Sequence, residues 1–148
     1  MQKVWLAFIC LLGFAQCNNK VYSLRDLPQK YIEIGSSGGF AGTAKRYYFF
    51  PNGQRFVSKG SMGTVGAVDA QEIESATPKD FKEILKSLKK MDFKAIDLNE
   101  LGNMTYYIKL KTRKEEKGVQ WSNMDTAPKA LVEVYRSALM NINTTAIN

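Results

Sequence analysis

The stretch TPKDFKEILKSLKKM, from Thr77 to Met91, carries the clearest structural signal in this chain. Thr77 is a residue type favoured just before a helix, Pro78 suits the first helical position, and Asp80 can return a capping hydrogen bond. The apolar side chains that follow recur at helical spacing and form one face, opposite a face rich in lysine. That face consists of Phe81, Ile84, Leu85, Leu88 and Met91. The stretch predicts an amphipathic helix that needs another layer to cover it.

The chain after this helix has the alternating pattern of strands. Residues 104–111, MTYYIKLK, alternate between apolar and polar side chains, as in a strand with one face buried in an antiparallel sheet. Residues 115–118, EEKG, are typical of a turn, and Val119 and Trp121 then share one face of a returning strand. The sequence therefore predicts a strand pair directly after the helix.

A second amphipathic helix closes the chain. It is predicted to begin at about Thr126 or Ala127, and its apolar positions lie at helical spacing. These positions are Leu131, Val134, Tyr135, Ala138, Leu139 and Ile142. This helix also has one apolar side and needs a sheet to cover it.

The chain before Thr77 predicts three further strands. Residues 31–34 alternate in polarity, residues 45–50 are rich in aromatic side chains, and residues 54–58 supply a return strand. Pro51-Asn52-Gly53 between the last two is a hairpin turn signal. Residues 60–66, rich in glycine, predict a flexible loop.

These elements predict an α+β domain with the order β-β-β-α-β-β-α. Four to five strands form an antiparallel sheet, and both helices pack on one of its faces. The opposite face, rich in Lys and Tyr, is expected to face water. Residues 31–143 make up this single domain, residues 18–30 a linker or loosely attached arm, and residues 144–148 a C-terminal tail.

The first 17 residues are predicted to be an export signal. A short basic start precedes an apolar run of about a dozen residues, which is shorter than the roughly 20 that a membrane-spanning helix needs. Residues 14–17, FAQC, resemble a bacterial lipobox, whose cysteine becomes the lipidated first residue of the mature protein. Two alternatives are open: lipidation at Cys17, or plain cleavage nearby. We expect a periplasmic, secreted or lipid-anchored protein, with the membrane reached only through Cys17.

The composition excludes several classes of chemistry. The chain of 148 residues has a formal charge of +7 and no histidine, so it cannot build a Ser-His-Asp or Cys-His catalytic arrangement or a histidine-ligated zinc site. No two carboxylates are spaced as a general acid and base on one element. The lysine face of the first helix is typical of a solvated surface rather than a nucleic-acid interface. We therefore predict no enzyme activity, metal, cofactor or nucleic-acid partner.

The most unusual stretch is GSSGGFAG, residues 35–42. It lacks the Gly-Lys-Ser/Thr ending of a phosphate-binding loop, which argues against nucleotide binding. One interpretation is a turn between two strands that returns Phe40 to the core. The other is a contact loop for a partner, in which glycines allow a close approach. The candidate partner-binding residues are Gly38, Gly39, Phe40, Ala41 and Gly42.

Residues 37–42, SGGFAG, resemble the Ser/Gly-Gly-Gly-Phe-Ala-Gly stretch of the emfourin family. Emfourin is a proteinaceous inhibitor associated with the thermolysin-like metallopeptidase protealysin. The order of elements from about Tyr31 to Leu139 is also similar to that of the family. The resemblance implies non-covalent obstruction of a protease cleft by loops on a rigid sheet.

Together these observations predict an exported, non-enzymatic binding domain that resembles a metallopeptidase inhibitor. The alternative is an accessory lipoprotein anchored in the cell envelope, whose partner is unknown. In the first case the partner is a thermolysin-like metallopeptidase; in the second it is another envelope protein.

Overall fold

A computed structural model describes residues 20–61, 71–73 and 77–143. The leader with Cys17, the loop residues 62–66 and the tail 144–148 lie outside the described residues. The strands are β1 Tyr31–Gly38, β2 Thr43–Phe49, β3 Arg55–Ser61, β4 Gln71–Ile73, β5 Met104–Lys111 and β6 Glu116–Trp121. The helices are α1 Pro78–Lys90 and α2 Lys129–Asn143, and a short 3-10 turn spans Phe93–Ala95.

The strands form one antiparallel sheet in the order β4-β3-β2-β1-β5-β6. The predicted α+β class and the order β-β-β-α-β-β-α are confirmed. The three-residue strand β4 adds to the five longer strands and pairs with β3 at one edge of the sheet. Strand β1 is central because it pairs with both β2 and β5.

Both helices cover the same face of the sheet. The β1 side chains Ile32 and Ile34 are fully buried there, and their register partners include Phe49 on β2 and Ile108 on β5. The helix side chains that complete this core include Phe81, Ile84 and Leu88 of α1 and Leu131, Tyr135 and Ala138 of α2. One apolar face per helix is therefore matched to one face of the sheet, as the helical spacing predicts.

Helix α1 starts where the sequence places it. The Thr77 N–H donates to a carboxylate oxygen of Asp80 at 3.2 Å, so Asp80 caps the first turn. The same carboxylate lies 3.9 Å from the guanidinium of Arg55, a buried side chain on β3. This ion pair connects the start of the helix to the sheet beneath it.

Two predicted boundaries are wrong. Residues 116–118 belong to β6, and the turn lies earlier, where the Thr112 N–H donates to the Glu115 carbonyl at 2.8 Å. Glu116 is the register partner of Lys111 and binds its ammonium group, which extends the strand. Helix α2 begins at Lys129, because Pro128 supplies the first carbonyl acceptor, for Leu131 and Val132.

The helix-free face is only partly open to water. The arm formed by residues 20–27 crosses it and packs Tyr22 and Leu24 against a second apolar cluster. This cluster consists of Tyr31, Tyr48, Phe50 and Phe56. Gln54 fastens the arm, since its side-chain oxygen accepts the Tyr22 N–H at 2.7 Å. The tyrosines that the sequence predicts to face water are therefore largely buried. Residues 20–24, predicted to be a linker or loosely attached arm, make specific contacts with the sheet.

Candidate functional site

The predicted contact loop is the connection between β1 and β2. Three of its glycines have positive φ angles, 120° at Gly38, 76° at Gly39 and 57° at Gly42. The Gly42 N–H donates to the Gly39 carbonyl at 2.9 Å and closes the turn. Glycine adopts these angles without the steric cost that a Cβ atom brings, so the loop's shape depends on these residues.

Phe40 stands at the tip of this hairpin and is fully exposed. The interpretation that returns Phe40 to the core is wrong. The turn directs the ring away from the sheet, and Ala41 beside it is exposed as well. Burying an exposed phenylalanine side chain contributes about 2 kcal/mol. A partner that covers Phe40 would therefore gain about this much binding free energy.

The hairpin tip is held against a neighbouring loop. The Gly39 N–H donates to the Asn103 carbonyl at 2.6 Å. A Cβ atom on Gly38 would overlap that same carbonyl oxygen, and one on Gly39 would touch the Met104 sulfur at 3.4 Å. The backbone of the hairpin therefore lies directly against the start of β5, which fixes the position of the tip.

A polar cluster that was not predicted from the sequence lies on the helix-free face. Glu33 on β1 is buried; the Tyr107 hydroxyl donates to its carboxylate at 2.8 Å, and the Lys109 ammonium lies 3.8 Å away. Tyr107 reaches Glu33 by crossing Gly35, where a Cβ atom would stand 2.5 Å from the hydroxyl. The signal was available in principle, because a glycine inside a strand, such as Gly35, often marks a place where another group approaches closely.

The polar cluster lies in the floor of an open cleft of about 800 Å³. Leu24 and Leu27 of the arm and residues 97–99 also line this cleft. Lys109 lines the cleft and also binds Glu116 at 3.4 Å, and Lys111, beside the cleft on the same strand, binds Glu116 at 3.2 Å. The Lys109 ammonium is therefore shared between two carboxylates, those of Glu33 and Glu116.

Burial and charge set the protonation states here. Burial, followed by the nearby Glu33 carboxylate, raises the pKa of Tyr107 and raises that of Tyr48 to about 12. A hydrogen bond from Lys111 lowers the pKa of Glu116. At neutral pH the Tyr107 phenol therefore remains a hydrogen-bond donor, and its chemistry is to hold Glu33 in place.

Two further sequence predictions concern ligation and the membrane. Within residues 20–61, 71–73 and 77–143, no group of three or more His, Cys, Asp or Glu side chains could hold a metal ion. None of the described helices is long and apolar enough to cross a membrane. Cys17, the candidate lipidation site, lies outside the described residues.

Comparison with models of known protein families gives no match, and no curated protein matches this chain. The hairpin tip and the polar cluster are therefore interpreted from their own chemistry. The tip offers an exposed aromatic ring on a braced turn, whereas the polar groups of the cluster are satisfied by one another.

Proposed function

We propose that this chain is an exported, non-enzymatic binding domain that inhibits a thermolysin-like metallopeptidase by inserting the hairpin 38–42 into its cleft. The observation that carries the proposal is Phe40, fully exposed at the tip of a turn braced by the Gly39–Asn103 hydrogen bond. The resemblance of residues 37–42 to the emfourin stretch supplies the class of partner.

The geometry suits an inhibitor because little has to be ordered on binding. Aromatic side chains dominate the energetics of protein interfaces, and Phe40 has only two side-chain torsions to immobilise. The backbone beneath it is fixed by antiparallel pairing of β1 with both neighbours. A rigid loop that carries one apolar anchor loses little entropy when it fills a pocket on a partner.

The test is a titration of the purified chain against a thermolysin-like zinc peptidase, with residual activity measured on a small peptide substrate. We expect stoichiometric inhibition by the wild type. Phe40→Ala should weaken inhibition by about 30-fold or more, the roughly 2 kcal/mol of an interface hot spot. Met140→Ala is the matched control, because Met140 is another exposed apolar residue, 60% exposed, on α2.

Each outcome has a distinct meaning. Equal inhibition by the Phe40→Ala and Met140→Ala variants, both folded by circular dichroism, would remove Phe40 from the interface. No inhibition by the wild type at high micromolar excess, with the chain intact on a gel, would contradict the choice of peptidase.

The second candidate function is an accessory lipoprotein that holds a partner at the cell envelope. The packing of the arm favours it, because Tyr22 and Leu24 fix residues close to Cys17 on the helix-free face. Cys17 lies three residues before Lys20, so the length of the chain alone keeps the Cα atoms of these two residues within about 11 Å of each other. An acyl anchor on Cys17 would hold the domain close to the lipid surface.

A further inference from the structure

A second exposed apolar side chain lies in the loop that precedes β5. Leu101 is 75% exposed, so its side chain adds little to the hydrophobic stabilisation of the domain's own core. Its sequence context does not single it out, because the surrounding residues 99–103, NELGN, are typical of an ordinary loop. A large exposed apolar side chain is informative when others lie near it, since clusters of them mark interaction sites.

The backbone on both sides of Leu101 is fixed. The Glu100 N–H donates to the Gln120 carbonyl at 3.0 Å, and the Gly102 N–H donates to the Thr105 hydroxyl at 3.3 Å. A Cβ atom on Gly102 would stand 2.5 Å from the Ser122 Cβ, so this loop packs closely on the end of β6. Leu101 is therefore presented to solvent from a braced loop, as Phe40 is.

Leu101 and Phe40 lie at the same end of the sheet. The Gly39–Asn103 hydrogen bond joins the two loops directly. Phe40 is one residue from this bond and Leu101 is two residues from it, so with about 3.8 Å between consecutive Cα atoms their Cα atoms are at most about 17 Å apart. A standard protein interface covers about 800 Å² per partner, a patch roughly 32 Å across. A partner centred between these two residues therefore covers both.

We propose that Phe40 and Leu101 are the two anchors of one docking surface, and that it fits a folded protein with an apolar recess long enough to take both side chains. This inference rests on the proposed function and extends it from one loop to two. Because the two loops share a backbone hydrogen bond, the spacing of the anchors is set before binding, which reduces the entropic cost of docking.

The charge beside the hairpin adds to the description of the partner. Lys45 on β2 and Lys59 on β3 are register partners and both are exposed. The ammonium group of Lys45 lies 5.0 Å from the centre of the Tyr47 ring. The two lysines favour a partner with carboxylates on that side of its recess, while Glu100 places a negative charge beside Leu101. The docking surface is therefore an apolar pair with a basic margin on the hairpin side.

The experiment is photo-crosslinking in the organism that produces the chain. Benzoylphenylalanine is placed at position 40, at position 101 or, as a control, at position 140, and each variant is checked for folding by circular dichroism. We expect one adduct of the same mass from positions 40 and 101 and none from position 140. Adding Phe40→Ala to the position-101 variant should reduce its adduct at least tenfold, because the anchors engage one partner.

The outcomes separate this inference from the proposed function. An adduct from position 40 without one from position 101 would overturn the two-loop surface and leave the hairpin as the contact. Adducts of different mass, or a position-101 adduct that does not depend on Phe40, would also overturn it. No adduct from either position would overturn the two-loop surface, whereas the proposed function fails on its own test if the wild type does not inhibit the peptidase. Equal adducts from all three positions would also overturn the two-loop surface by showing contact without a defined site.

Discussion

Replacing Gly38 with alanine tests whether the junction of the two loops depends on backbone geometry. Gly38 is the last residue of β1 and has a φ angle of 120°, which L-residues rarely adopt. A Cβ atom at this position would also overlap the Asn103 carbonyl oxygen, a backbone atom that cannot move without shifting the start of β5. The change therefore introduces torsional strain and a steric clash together.

The expected loss of stability follows from these two effects. A residue held in a sparsely populated backbone region costs about 1–3 kcal/mol. Relieving the clash separates the loops and weakens the hydrogen bond between Gly39 and Asn103, which contributes about 1 kcal/mol. We expect Gly38→Ala to lower the free energy of unfolding by about 2–4 kcal/mol, out of the roughly 5–15 kcal/mol typical of a domain.

Two other glycines provide matched controls. Gly42 has a φ angle of 57°, but no atom lies within 4 Å of the point that its Cβ would occupy, so Gly42→Ala should cost only the torsional strain, about 1 kcal/mol. Gly118 on β6 has no atom within 4 Å of the point that its Cβ would occupy, and its φ angle is not positive. Gly118→Ala should be neutral or stabilising by up to about 1 kcal/mol, since alanine is favoured over glycine in a strand.

The assay is urea unfolding of the three variants and the wild type, followed by far-ultraviolet circular dichroism. The expected order of stability is Gly118→Ala at or above wild type, then Gly42→Ala, then Gly38→Ala. If Gly38→Ala were no less stable than Gly42→Ala, the clash with the Asn103 carbonyl would not lower the free energy of unfolding. The two loops would then not be fixed to each other, contrary to the reasoning above.

Two further predictions concern pH and the mature N-terminus. Burial raises the pKa of Tyr48 and Tyr135 to about 12, above the 10.0 of an exposed tyrosine, so the unfolded chain loses these protons first and stability should fall as pH rises from about 10 to 12. Urea midpoints measured across that range check this, and a flat profile would contradict the burial of these phenols. If the lipoprotein alternative holds, the intact mass of the mature chain should correspond to an acylated start at Cys17; an unacylated start elsewhere would rule it out.

The local elements could be predicted because their signals are short in range. The capping pair Thr77 and Asp80, the apolar spacing from Phe81 to Met91, and the Pro51-Asn52-Gly53 turn all act within a few residues. Two helices with one apolar face each require a sheet, so the α+β class and the order of elements also followed. The end of the β5–β6 turn could not be predicted in this way, because the pairing of Glu116 with Lys111 places three residues that look like a turn, 116–118, in the strand.

The candidate site depended on contacts between distant parts of the chain. The glycines of residues 38–42 predicted a turn or contact loop, but only the register of β1 against β2 and β5 decided that Phe40 points to solvent. Leu101 has no local signal at all, and it lies beside the hairpin because the Gly39 N–H binds the Asn103 carbonyl.

The elements, their order, the absence of histidine chemistry and the glycine-rich stretch could all be derived from the amino-acid sequence, because periodicity and capping act between neighbouring residues and composition needs no structure. Folding, by contrast, selected which residues meet on the sheet. It buried Glu33 beneath Tyr107, laid the arm over the helix-free face, and brought Phe40 and Leu101 to one end. These contacts join residues far apart in the chain, and a loop carries no local signal of which other loop it packs against.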